Sequence, residues 1–187
     1  MLRKLPARGA VLCSLLMLSG LAQSEDGRFG FTAEADLEYG GDDIATFDFD
    51  DGTTQDVTTG QGVTVAIGGY YRWADSPLSL RSTVGYKYVT TKASNADISV
   101  SRVVLEAVGN YQWDNGWWVG AGLTHHSNIK FDADGFGPNA DFDDAFGPTV
   151  ELGWRWIGLS YTNLDYEDEW GGEWDASNFG LTLTARF

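Results

Sequence analysis

Residues 123 to 144, LTHHSNIKFDADGFGPNADFDD, set two histidines, a serine and an asparagine directly before a run of aspartates. His125, two residues before Ser127, offers the pairing that nucleophilic catalysis uses, because a serine hydroxyl needs an adjacent base to attack at neutral pH. The acids that follow, Asp132, Asp134, Asp141, Asp143 and Asp144, are the oxygen ligands that Ca²⁺ or Mg²⁺ prefers. DADG at 132 to 135 has the opening spacing of a calcium loop, but the twelfth position carries Asp143 in place of the bidentate glutamate. Both patterns are short. Polar residues where a strand leaves a membrane, and acids that keep exposed loops soluble, would look the same, so what these side chains face decides their meaning.

The elements that carry them alternate with period 2. In FTAEADLEY, residues 31 to 39, every odd residue is apolar and every even one is Thr, Glu or Asp, which is a strand with two unlike faces. The same test marks residues 62 to 73, 78 to 88, 100 to 113, 117 to 131, 146 to 154, 157 to 166 and 176 to 187. Eight strands are expected. The links after the second, fourth and sixth are tight (ADSP, DNG and the RWI region), and Asn-Gly is a strong hairpin signal. Those after the first, third, fifth and seventh are long: residues 40 to 61, 90 to 98, 132 to 145 and 166 to 175. Short turns at one end and long loops at the other predict an all-β fold, an eight-stranded antiparallel up-and-down barrel.

The barrel has two possible orientations. With the apolar face inside, the wall would be that of a soluble carrier. With it outside, the interior holds Glu34, Asp36, Glu38, Glu106 and Glu151 with Arg72, Arg81, Lys87, Arg102, Arg155 and Arg186. Five acids against six bases, in a chain with 27 acidic and 12 basic residues, is the near balance an enclosed polar core needs. Aromatic residues also cluster by height: Tyr71, Trp73, Tyr111, Trp113, Trp117, Trp154, Trp156 and Phe187 at the short-turn end, and Tyr39, Tyr88, Phe131 and Phe146 near the long loops. Two aromatic girdles around an apolar band mark a transmembrane barrel. Eight strands leave an interior that side chains fill, so no diffusion pore is expected.

Residues 1 to 24 read as a secretory signal peptide: Arg3, Lys4 and Arg8, then the apolar run VLCSLLMLSGLA, then small residues at Ala22 and Ser24 for cleavage. Residues 25 to 187 form the barrel domain, and Cys13 goes with the leader, so no disulfide is expected. Losing three positive charges leaves 9 − 27 = −18. Nucleic acid is excluded as a partner, because binding it depends on Lys and Arg neutralising phosphates. No heme, nucleotide or phosphate-loop motif is present.

With its leader, eight strands and final FGLTLTARF, the mature chain resembles the small bacterial outer-membrane barrels of the OmpA membrane domain and OmpX type. That resemblance implies the outer membrane, a monomer, lipid and lipopolysaccharide contacts, and delivery by the assembly machinery that reads a C-terminal phenylalanine. Locally, His-x-Ser-Asn resembles the lipid A 3-O-deacylases, which implies His125 as base, Ser127 as nucleophile and Asn128 near the oxyanion. In that family the motif lies on a late strand, whereas here three strands follow it. The family also needs an outward carboxylate to orient the histidine. Glu151 reads as inward, so Asp141, Asp143 or Asp144 would have to fold back onto the wall. The expected role is structural, surface-interacting, or lipopolysaccharide- and divalent-cation-binding through acidic loops; the alternative is an outer-leaflet lipid A ester hydrolase.

Overall fold

The computed structural model describes residues 27–48, 54–93, 96–133 and 139–187, and the expected leader lies outside them. In chain order the strands are β1 (Arg28–Tyr39), β2 (Asp43–Asp48), β3 (Thr54–Thr58), β4 (Gly62–Arg72), β5 (Leu78–Ala93), β6 (Ala96–Gln112), β7 (Trp117–Asp132), β8 (Ala140–Phe142), β9 (Ala145–Trp154), β10 (Ile157–Thr162), β11 (Asp165–Glu167), β12 (Glu173–Asp175) and β13 (Asn178–Arg186). Eight of them, β1, β4, β5, β6, β7, β9, β10 and β13, form one closed antiparallel barrel, sealed where β13 pairs β1 from Thr32↔Arg186 to Tyr39↔Phe179. The expected architecture is therefore present.

The apolar face points outward. Phe31 and Ile67 are 65% exposed and Phe179 is 70% exposed, and Val65, Leu159, Leu181 and Leu183 continue the same wall. Apolar surface costs roughly 25 cal/mol per Å² in water, so a continuous belt of this kind suits the hydrocarbon of a bilayer. Inside, the alternate residues of each strand include the charged ones. Arg81, 1% exposed, lies 3.1 Å from Glu34, 2.5 Å from Glu106 and 2.6 Å from Glu151, and Lys87 lies 2.9 Å from Glu38. The space left among these side chains is a cavity of ≈ 30 Å³. A water needs ~10–15 Å³ of such space, so this cavity has room for a water or two.

At the short-turn end the expected tight links are present. Gly116, at φ 89°, completes the Asn-Gly turn, where Asn115 Oδ1 accepts from the Trp117 amide at 3.1 Å. Trp118 points inward and is fully buried, its indole NH donating to the Arg155 carbonyl at 3.2 Å. Gly153 and Gly158 make room for that ring, since a side chain on either would run into it. Tyr71 departs from the expected girdle: it is only 5% exposed and packs edge-on against Trp73, with ring centroids 5.2 Å apart.

The long-loop end differs from expectation in three ways. Within the expected loop 90 to 98, residues 90–93 and 96–98 are strand, because β5 and β6 run on as a paired ladder to Ala93↔Ala96. The link 40 to 61 contains the hairpin β2–β3. The strand expected to run to Tyr166 stops at Thr162, and its continuation, β11, pairs with β12 instead. One cause underlies all three. Above the wall the apolar pattern inverts, so that Ile98, Val100, Ile129, Phe142, Leu164, Tyr166 and Ala176 are buried inside, while Lys130 and Asp141 face out. The barrel is built for lipid over its wall and for water beyond it.

β7 changes faces through a bulge. Ser101 pairs Lys130 but Val103 pairs Ser127, so Arg102 opposes two residues, and Asn128 takes the left-handed conformation at φ 52°. Asparagine is among the residues that tolerate this conformation best. Unbroken alternation from Trp117 would turn Asn128 inward and Ile129 outward; with the bulge Asn128 is exposed and Ile129 is buried.

Candidate functional site

The sequence directs attention to the long-loop rim, and the structure gives that rim an internal frame. Ile129, Phe142, Ala145, Leu164, Tyr166 and Ala176 form an apolar core above the charged lumen, with Phe131, Ala140 and Trp174 packed against it. The segment after β3 dips into the barrel mouth. Lys87 Nζ donates to the Gly60 carbonyl at 2.7 Å, and Arg102 Nη2 donates to the Gln61 carbonyl at 2.8 Å. Two lumenal cations thus spend hydrogen bonds on loop carbonyls. His126 Nδ1 and the Tyr166 hydroxyl share a 2.6 Å hydrogen bond, and the Arg102 guanidinium lies 5.7 Å from the Tyr166 ring centre.

The loops are also laced to each other. The Asp42 amide donates to the Asp175 carbonyl and the Asp175 amide to Asp42 Oδ2, both at 2.8 Å, while Thr59 Oγ1 donates to the Asp175 carbonyl. Gly41, at φ 86°, passes close to the Asp175 carbonyl and the Gly60 amide, a place where only a residue without Cβ fits comfortably. Asp168 organises the β11–β12 turn: its carboxylate accepts from the Trp174 indole at 3.0 Å and from the Gly172 and Trp170 amides at 2.7 and 2.9 Å. These bonds, the indole first, hold the Asp168 carboxyl below the usual carboxylate range. The turn presents Trp170, 67% exposed, at the tip of the rim.

His125 and Ser127 lie on the outer face of β7, half-buried. At β8 the chain lies back along β7. β8 pairs β7 from Ile129↔Phe142 to Phe131↔Ala140, and β9 resumes the pairing at His126↔Ala145. Asp144 falls between those stretches and lies 3.6 Å from His125 Nε2. Continuing the register sets Asp144 across from Ser127, so a hydroxyl, an imidazole and a carboxylate share one patch where the wall meets the rim. No hydrogen bond joins His125 to Ser127 among the described residues, and the imidazole nitrogen left for the hydroxyl is Nδ1. Glu151 points inward onto Arg81, as expected.

The other acids do not gather. Asp132 ends β7, Asp141 sits cross-strand from Lys130, Asp143 donates its amide to the Glu167 carbonyl, and Asp134 lies outside the described residues. Among the described residues no three His, Cys, Asp or Glu side chains form a cage for a metal ion. Of the loop aromatics, Phe142 and Trp174 pack the cap from within, while the side chains of Phe47, Phe49 and Phe136 lie outside the described residues.

Sequence reading missed two groups of residues. The anchors Lys87, Arg102 and His126 were visible as inward residues, but nothing in the sequence says that a loop reaches down to meet them. Arg28, exposed at the start of β1 on the even-numbered side, lies before the first segment whose alternation the sequence shows.

No family model matches the chain, and no curated protein matches it in sequence. Among solved structures the fold is similar to Neisserial surface protein A (NspA), with TM-score 0.46 and 11% identity, covering 87% of this chain and 100% of that one. It is also similar to Ail, the attachment invasion locus protein of Yersinia pestis, solved in complex with the heparin analogue sucrose octasulfate, with TM-score 0.44 and 11% identity over 87% and 99% of the two chains.

Proposed function

We propose that this chain is a monomeric barrel of the bacterial outer membrane, closed to diffusion, whose long-loop rim is a braced acidic surface that associates with lipopolysaccharide through Ca²⁺ or Mg²⁺. The leader is removed on export, and the terminal Phe187 is the feature that the assembly machinery reads. The observation carrying this reading is the rim itself: Asp42, Asp43, Asp56, Asp141, Asp143, Asp144, Glu167, Glu169 and Glu173 stand exposed around an ordered cap, above a lumen with no space for a substrate. Bare carboxylates repel phosphate-bearing lipid, and shared divalent cations reverse the sign of that interaction. Because the described acids make no cage of their own, the ions are held jointly with lipid phosphates. Titrating the refolded barrel with lipopolysaccharide is expected to give saturable binding in the presence of Ca²⁺ or Mg²⁺ and none in chelator. Binding that ignores the cation would overturn the proposal.

The Asp144–His125 contact favours a second reading, an outer-leaflet ester hydrolase. Asp144 would fix the imidazole, His125 Nδ1 would take the Ser127 proton, and Ser127 Oγ would attack the acyl carbonyl of a lipid ester, whose sugar oxygen leaves as a hydroxyl with the proton from His125. Water, deprotonated in turn by His125, would then cleave the acyl-enzyme to a free fatty acid and restore Ser127. Mass spectrometry of lipid A from cells with and without the protein separates the two. The hydrolase reading expects one acyl chain to be lost, with that loss abolished by Ser127→Ala and strongly reduced by Asp144→Asn. The rim reading expects unchanged lipid A in every case.

A further inference from the structure

The interior was expected to pair its charges, and over most of its height it does. At the short-turn mouth it does not. Arg28 and Arg72 are direct cross-strand partners on β1 and β4, and both line the mouth of the barrel, Arg28 exposed and Arg72 half-buried. Like charges opposite each other across a ladder destabilise it. Arg186, on the other neighbour of β1, joins them, and Arg155 comes in from the turn between β9 and β10. Together they line a mouth of ≈ 420 Å³.

Among the described residues their partners are neutral. Arg72 Nη2 donates to Gln112 Oε1 at 2.5 Å, Arg155 lies 4.4 Å over the Trp154 ring, and Arg186 lies 5.7 Å from the Tyr70 ring centre. Arg186 Nε is buried with no hydrogen-bond acceptor. Asp75 and Asp114 lie in the adjoining recess, which shares Arg28, Arg72 and Gln112, and neither forms an ion pair with the arginines. Four of the lumen's five acids stand deeper, Glu34, Glu106 and Glu151 on Arg81 and Glu38 on Lys87. In a chain of net charge −15, four guanidiniums thus surround one opening with no carboxylate paired to them among the described residues.

We propose that this mouth is a binding site for a phosphate-bearing anion. Guanidinium forks match carboxylate and phosphate equally in shape, but one carboxylate has two oxygens and a single charge. A phosphomonoester or pyrophosphate offers at least three oxygens and about two charges, enough to bridge Arg28 and Arg72 and give Arg186 Nε an acceptor. The phosphate can arrive as a soluble ion or as a lipid headgroup from the leaflet around Trp156, which lines the same mouth and is exposed.

The test is calorimetric titration of the refolded wild-type protein in a neutral detergent with inorganic pyrophosphate. The expected result is saturable binding that weakens as salt is raised, and weakens at least tenfold in Arg28→Gln with Arg72→Gln and, separately, in the turn variant Arg155→Gln. Repeating the titration in phosphatidylcholine nanodiscs with and without phosphatidic acid identifies the source. Loss of pyrophosphate binding in the doped discs assigns the site to a headgroup, and unchanged binding assigns it to a soluble phosphate. No saturable heat with wild type, or folded variants that titrate as wild type does, would overturn the proposal.

Discussion

Arg81→Leu is expected to destabilise the barrel by about 3–5 kcal/mol, the usual cost of removing one partner from a buried ion pair. The reason is local. Glu34, Glu106 and Glu151 converge on that one guanidinium from three strands, and leucine would leave three carboxylates facing each other across a cavity of ≈ 30 Å³. Desolvation cannot be relieved by moving them, because each is fixed by strand register. Chemical unfolding of the protein reconstituted in lipid vesicles measures the loss. Adding Glu34→Gln and Glu151→Gln to the same chain is expected to recover much of it, since the penalty comes from stranded charge and not from lost packing. A triple variant as unstable as Arg81→Leu alone would mean that packing is what matters there.

The second large effect concerns the wall. Val65 pairs Ala35 on one side and Tyr86 on the other, midway between the two aromatic heights, and its side chain is 62% exposed. Val65→Arg is expected to cost ~2–4 kcal/mol, and Tyr39→Arg at the long-loop edge ~0–1 kcal/mol, because a charge is most expensive at the bilayer midplane. Both are read by the same unfolding measurement. In a water-facing wall the two substitutions would have equal and small effects.

The architecture was legible because within the wall every strand obeys a single rule, odd residues toward lipid on β1 and even residues toward the lumen. That rule depends only on alternation and on the pairing of buried charge, both of which are local to the sequence. It failed at Asn128, where a one-residue bulge swaps the faces of β7, and nothing in HHSNIK announces a bulge except an asparagine able to take a left-handed conformation. The rule failed again above the wall, where Ile98 and Val100 face inward because the surroundings change from lipid to water. Reading 90 to 98 as a loop treated a change of solvent as the end of a strand.

The site was less legible, for a different reason. His125 and Ser127 were found from their spacing, but the closeness of Asp144 depends on β8 folding back along β7, a tertiary fact. The tally of five acids against six bases was sound arithmetic that concealed a separation in height. Four of the acids sit with Arg81 and Lys87, while Arg72, Arg155 and Arg186 sit at the mouth with Arg28. Composition counts charges without placing them.

The orientation of the wall underlies every role discussed, and site-directed spin labelling tests it most directly. The one cysteine, Cys13, lies in the expected leader, so single cysteines can be introduced at Leu159, Leu181 and the rim residue Trp170 and labelled with a nitroxide in reconstituted bilayers. Labels at 159 and 181 should be relaxed strongly by dissolved oxygen and hardly by an aqueous nickel chelate, with the reverse at 170. Nickel relaxing 159 and 181 as strongly as 170 would contradict the account.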